Sequence, residues 1–209
     1  MLEKICNASE KLFVKYGIKS ITMDDVAKEL SISKKTLYQF VEDKDDLVKK
    51  TITLHLNNVN CNCENVMANE ENAILQIFLI AEMMISMHQN INPSLIYDLK
   101  KYHPESYEIF KQHRENAMHE QVVDNLSKGI HQKLYKSDLD IEITAGLYMG
   151  LIEVCLGQDI EILANTPFPK KYQTLINYHL SAITSELGKQ FIENNNQEFI
   201  NKFKEYANQ

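Results

Sequence analysis

Residues 18–47 read I-K-S-I-T-M-D-D-V-A-K-E-L-S-I-S-K-K-T-L-Y-Q-F-V-E-D-K-D-D-L, and this stretch decides the fold. Met23, Val26, Ala27 and Leu30 recur three and four apart, the spacing of one buried helix face. Thr22 precedes them and suits an N-cap. After Leu30-Ser31-Ile32 the face breaks, and Ser33 is a second N-cap ahead of Lys34-Lys35-Thr36-Leu37-Tyr38. Two short helices joined by a tight turn, the second rich in lysine, hydroxyl and amide side chains, make a helix-turn-helix. In that motif the second helix enters the DNA major groove. A further helix is predicted from about Lys44 to Val59, and a first one over Leu2–Tyr16, ended by Gly17.

The positions of Thr22, Ala27, Leu30, Ile32-Ser33, Thr36-Leu37-Tyr38, Lys44 and Leu47 resemble the TetR family of bacterial transcriptional regulators. The family pattern runs roughly T-x-x-x-I-A-x-x-A-G-V-S-x-G-T-L-Y-x-x-F-x-x-K-x-x-L. Three positions depart from it. Ser31 stands where the turn glycine is usual and must make that turn with more backbone strain. Lys35 replaces a small residue. Phe40-Val41 reverses the expected placement of the aromatic, so either side chain is a candidate to fill the domain core. The resemblance implies an all-α protein, with an N-terminal three-helix DNA-binding domain over 1–47 and a helical ligand-binding and dimerisation domain over 48–209. It also implies that Tyr38 and Lys44 grip the DNA backbone.

From the residues themselves, Ser33, Thr36, Tyr38 and Lys44 each offer an O–H or N–H donor to a phosphate oxygen, and Thr22, at the start of the preceding helix, is a further DNA-binding candidate. Lys34, Lys35 and Gln39 suit base edges, since lysine donates to guanine and glutamine pairs with adenine. Each is also an ordinary exposed helix residue, so the sequence carries both readings.

Composition bounds the rest. The chain has 209 residues, 44% of them hydrophobic, with only 6 Gly and 4 Pro. Sparse punctuation favours long helices, and no alternating run reads as a strand. The N-terminus has no apolar signal stretch, and the most apolar runs are interrupted by charge, so a cytoplasmic protein without a membrane span is expected. The net charge is −7, but it is unevenly distributed. Residues 1–50 hold ten lysines against nine carboxylates; the remainder holds twelve cations against twenty. Lysines 28, 34, 35, 44, 49 and 50 are the candidates for a local positive patch.

Beyond the head, residues 57–72 are polar and predict a connector. Ala73–His88 is apolar nearly all round and predicts a buried helix. A short helix over 94–102, a long one over 105–128 ended by Gly129 or by the following Lys-Leu-Tyr-Lys stretch, and another over 138–163 capped by Asp138 follow. Met83, Met84, Met87, Tyr97, Phe110, Tyr148 and Met149 are candidates to line a pocket for a small-molecule effector, though core is the plainer reading of any one of them. Tyr148, Ile152 and Leu156, with Tyr172, Leu175, Ile176, His179, Leu180 and Ile183, form regular stripes on the last two long helices. Two such faces paired across a twofold axis would give a four-helix dimer interface. The tail beyond Gly188, with Phe199, Ile200, Phe203 and Tyr206, suits a short extra helix.

The expected function is a homodimeric regulator, a repressor released from a palindromic operator by an effector. Double-stranded DNA, the effector and a second copy are its partners, and no cofactor or metal is called for. A thiol- or metal-responsive regulator using Cys61 and Cys63 is the alternative, although His55-x5-Cys61-x-Cys63 matches no standard zinc spacing. A helical enzyme lacks support, because no phosphate loop, nucleophile elbow or H-E-x-x-H is present. A purely structural helical dimer gives no reason for Lys34-Lys35-Thr36-x-Tyr38 on a capped short helix.

Overall fold

A computed structural model describes residues 1–88, 92, 94–157 and 160–195. It is helical throughout: α1 (Leu2–Tyr16), α2 (Met23–Glu29), α3 (Lys34–Leu37), α4 (Lys44–Asn69), α5 (Ala73–His88), α6 (Leu95–Tyr102), α7 (Pro104–His113), a π-helical turn (Arg114–Met118), α8 (His119–His131), α9 (Ile141–Leu156), α10 (Glu161–Ala164) and α11 (Phe168–Ile183). Residues 186–195 are also helical. Among the described residues there is no strand, only one isolated bridge between Tyr135 and Thr184. The tail residues Phe199, Ile200, Phe203 and Tyr206 lie outside the described residues. Among the described residues no helix is long and apolar enough to cross a membrane.

The chain packs as two compact units, Met1–Cys61 with Asn90–Glu115, and Asn62–Gln89 with Asn116–Gln209. The first unit is built on the expected helices plus a late addition. Ile5, Phe13, Ile18, Val26, Leu37, Leu47 and Val48 close its core, and Leu95 and Leu99 of α6 join them. Gly17, with φ near 80°, ends α1 and lets α6 approach. A Cβ there would stand 2.8 Å from Ser94 Oγ. Asp98 of α6, 5% exposed, accepts the Lys19 N–H at 3.0 Å. This long-range closure is why the unit extends past residues 1–47.

The turn of the helix-turn-helix is made by Ser31 with φ 53°, the left-handed conformation in which a side chain costs about 1–2 kcal/mol. The order Phe40-Val41 resolves in favour of Val41, which is 1% exposed in the core; Phe40 packs half-buried against it.

The second unit is a helical bundle in which α5, α8, α9 and α11 pack on one another. A buried network ties it together: Asn125 Nδ2 donates to Gln76 Oε1 at 3.0 Å, and Tyr135 Oη donates to Asn125 Oδ1 at 3.0 Å. All three side chains are buried and satisfied, so the network fixes register without leaving an orphaned polar group.

Five boundaries differ from the sequence expectation; one is the helix expected over 138–163, which ends at Leu156, with α10 following as a separate short helix. The polar stretch after residue 57 stays helical to Asn69, because Leu56, Val59 and Cys63 recur at helical spacing and are all buried. Asn72 then caps α5, its Oδ1 accepting the Ile74 N–H at 2.9 Å. Residues 105–128 are interrupted by the π-helical turn. Gly129 does not end α8 but lies inside it, because the Tyr135 ring covers it; a Cβ would lie 2.0 Å from that ring. The cap of α9 is Asp140, which accepts from Ile143 N, rather than Asp138.

Candidate nucleic-acid interface

The reading head is held by its caps. Thr22 and Asp25 form a capping box: Thr22 Oγ1 accepts the Asp25 N–H at 3.2 Å and donates to Asp25 Oδ2 at 2.6 Å, which also accepts the Thr22 N–H. These hydrogen bonds hold the Asp25 carboxyl below its ordinary range. The Thr22 hydroxyl proton is therefore engaged, and Thr22 acts first as a cap. Ser33 Oγ accepts the Thr36 N–H at 3.0 Å and lies 2.8 Å from Thr36 Oγ1. One of these two hydroxyls donates to the other, and the remaining proton is available to a phosphate.

Leu37, fully buried, anchors α3 to the core and turns the other side of the helix outward. Lys34, Lys35, Tyr38 and Gln39 are all exposed there. Lys34 pairs with Asp24 at 2.9 Å, and that carboxylate raises its pKa. Lys44 is half-buried and donates to the Lys19 carbonyl at 3.3 Å; burial lowers its pKa. Lys50 donates to the Phe40 carbonyl at 2.9 Å and to Asp46 at 2.7 Å, which fixes the exit of α3 on α4. Lys49 meets Glu105 at 3.4 Å. Four of the six lysines in the expected patch thus have partners inside the unit; on α3 both Lys34 and Lys35 are exposed, and among the described residues Lys34 is the one paired with a carboxylate.

The pocket candidates divide between the units. Tyr97 and Phe110 belong to the first, where Tyr97 is half-exposed beside Lys101 and Phe110 packs against Tyr107 and the core. Met83, Met84 and Met87 line half-buried positions on α5 in the second, and Tyr148 and Met149 are buried on α9. Sequence reading missed the polar company of Tyr148. Its ring packs on the His179 ring, centres 4.2 Å apart and planes tilted by 32°, and its hydroxyl is hydrogen-bonded to Tyr172. Burial pushes the Tyr148 hydroxyl up to about 12, pushes the Cys63 thiol up to about 11, and pulls His179 down to about 4. All three groups are held neutral at pH 7.

The stripe assigned to a dimer interface faces inward instead. Tyr148, Ile152, Tyr172, Leu175, Ile176, His179, Leu180 and Ile183 are each less than a tenth exposed within the single chain, and Leu156 is half-buried. These residues form the contact of α11 with α5 and α9. A periodic stripe marks a buried face without saying what buries it. The faces left open are others: Ile143, Leu147 and Val154 on α9, 63%, 66% and 41% exposed, and Tyr178 on α11, 67% exposed. Gly146 and Gly150 share the open face of α9, with free space beyond each. The near-uniform apolarity of residues 141–156 was the available signal, since a helix apolar on every side needs cover on every side.

Cys61 and Cys63 do not share an environment. They lie two apart on α4, so their side chains leave opposite sides of the helix; Cys61 is exposed and Cys63 buried. Among the described residues no three His, Cys, Asp or Glu side chains converge as metal ligands.

A capped helix-turn-helix in an all-helical chain defines a DNA-binding regulator. Residues 5–51 match the family model described as bacterial regulatory proteins, tetR family. The chain is similar to YhgD, an uncharacterised HTH-type transcriptional regulator of Bacillus subtilis (strain 168), with 25% identity over 155 residues, 72% of this chain and 71% of the relative. Its fold is similar to that of Escherichia coli NemR in the reduced form, with TM-score 0.72, 11% identity, and 88% and 97% of the two chains covered. It is also similar to a transcriptional regulator from Saccharomonospora viridis in complex with choline, with TM-score 0.69, 14% identity, and 88% and 98% covered. These are regulators, not enzymes.

Proposed function

We propose that the protein is a homodimeric repressor that reads a palindromic operator and is released by a small-molecule effector. The observation carrying this reading is the front of α3. Lys35, Tyr38 and Gln39 are exposed on a helix whose opposite side is locked by Leu37, Ser33 and Thr36. Lys35 and Gln39 read bases, with Lys34 once it leaves Asp24. Tyr38, the shared hydroxyl of Ser33 and Thr36, and Lys44 bind phosphates. Thr22 positions the start of α2.

One α3 helix is too small for tight recognition, so two copies act together. The open face of α9 and α11, with Ile143, Leu147, Val154 and Tyr178, is the surface we assign to the second copy. Glycines 146 and 150 let two such helices cross closely.

The effector acts in the second unit, near Met83, Met84, Met87, Tyr148 and Met149. It shifts the repressor only by binding two conformations unequally. The helix α4 contributes residues to both units and is the element through which such a shift is felt. The Saccharomonospora viridis regulator of the same fold binds choline, which supports a small-molecule site in this fold.

Selection of genomic fragments on the purified protein tests the reading. It should recover inverted repeats whose half-sites lie one helical turn, about 34–36 Å, or a multiple of it apart. Recovery of unrelated fragments, or of unpaired half-sites, contradicts it.

A further inference from the structure

The first unit carries a basic and aromatic belt outside the helix-turn-helix. Lys19 Nζ lies 5.0 Å from the centre of the Tyr102 ring. Lys101 Nζ lies 5.4 Å from the same ring and 5.1 Å from the Tyr97 ring, and donates to Tyr97 Oη at 2.7 Å. Tyr97 and Tyr102 are 51% and 37% exposed. Lys100 stands over Tyr107, and Lys15 over Tyr16. Among the described residues, none of these four lysines forms an ion pair with a carboxylate. Asp98 beneath the belt is buried and accepts the Lys19 N–H and Ser94 Oγ, and Lys15, its pKa raised first by Tyr16, is close enough to Glu29 for that carboxylate to raise it further.

The belt is continuous with the candidate DNA contacts. Lys44 donates to the Lys19 carbonyl, and Thr22 follows Lys19 by three residues. Lysines in the last turn of α6 also complement the helix dipole, which accounts for Lys100 and Lys101. The same holds for Lys15 in the last turn of α1, but not for Lys19, which lies in the turn between α1 and α2. Cation–π pairing at exposed sites stabilises by only about 0.5–1 kcal/mol, too little by itself to explain bringing Lys19 onto the Tyr102 ring beside Lys101.

We infer that Lys19 and Lys101, steadied by Tyr97 and Tyr102, form a second phosphate-binding surface that grips the duplex beside the reading head. The chemistry is that of fixed ammonium groups and phenolic donors against phosphate oxygens. It adds affinity for any sequence and no base discrimination. The inference rests on the operator-binding reading, which it deepens.

The test compares the full-length protein with Lys19→Gln/Lys101→Gln, using a mixed-sequence 30-base-pair duplex over a range of salt. A control, Lys170→Gln/Lys189→Gln, removes the same charge from exposed positions in the second unit. The belt variant should bind about tenfold more weakly at moderate salt, and its log–log salt slope should fall by roughly 2, about one per lost phosphate contact. Lys19→Arg/Lys101→Arg should restore both. Equal behaviour of the belt variant and the parent, or of the belt variant and the control, overturns the belt while leaving the reading head intact. If the parent binds no duplex at all, the operator reading fails and the belt with it.

Discussion

The helix α3 and the helix α11 are both set by apolar side chains on one side, and they differ in what their open sides carry. On α3 one buried leucine holds four exposed polar side chains, and local caps fix every boundary. On α11 eight side chains are buried, and the open side shows Tyr178 among small and polar residues, beside an α9 face that is largely apolar. A short capped helix displays chemistry. A long helix pair buries one stripe internally and keeps a second face for cover. The comparison separates residues that hold the fold from residues that meet a partner.

The largest effect should come from the buried side. Ile176→Ala removes a side chain 1% exposed from the contact of α11 with its neighbours. It should cost about 2–5 kcal/mol of unfolding free energy, read by chemical denaturation. Leu147→Glu, on the open face, should leave the unfolding of the single chain nearly unchanged and turn the dimer into a monomer in sedimentation. The linked loss of operator affinity should be on the order of a hundredfold. If Leu147→Glu unfolds the chain while Ile176→Ala dissociates it, the assignment of the two faces is reversed.

A smaller effect concerns pH. His179 is pulled down from 6.5 to about 4 by burial against the Tyr148 ring. Below the ordinary histidine range the unfolded chain binds a proton that the folded chain refuses, so stability is complete above about pH 6.5 and falls toward pH 4. The loss attributable to this group is roughly 3 kcal/mol. His179→Gln should flatten that part of the stability profile relative to the parent. An unchanged profile contradicts the burial of a neutral imidazole.

The reading head was legible in sequence because its rules are local. Thr22 and Ser33 cap where their neighbours require it, Ser31 makes the turn, and the spacing of Met23, Val26 and Ala27 names the buried side. The order Phe40-Val41 was not decidable from the chain alone, since either side chain fills the same space and only packing chooses. The stripe expected to meet a second copy is buried within the single chain, because period reports burial and not the partner. Tyr172 through Ile183 is the most regular stripe in the second half, and it is regular because it meets α5 and α9 of its own chain. The contribution of α6 to the first unit was hidden by distance in sequence. It depends on Asp98 reaching the Lys19 N–H and on the clearance at Gly17. The belt of Lys19, Tyr97, Lys101 and Tyr102 was hidden in the same way.

The most direct measurement is operator binding by Lys35→Ala and Tyr38→Phe, each checked for dimer formation and folding. Both side chains are exposed on α3 and contribute nothing to the core. The account predicts dimers of parental stability whose operator affinity falls by about tenfold for each, with Lys35→Ala also losing preference among operator variants. Parental affinity in both variants across a range of salt would contradict it, and would show that α3 is not the element that reads DNA.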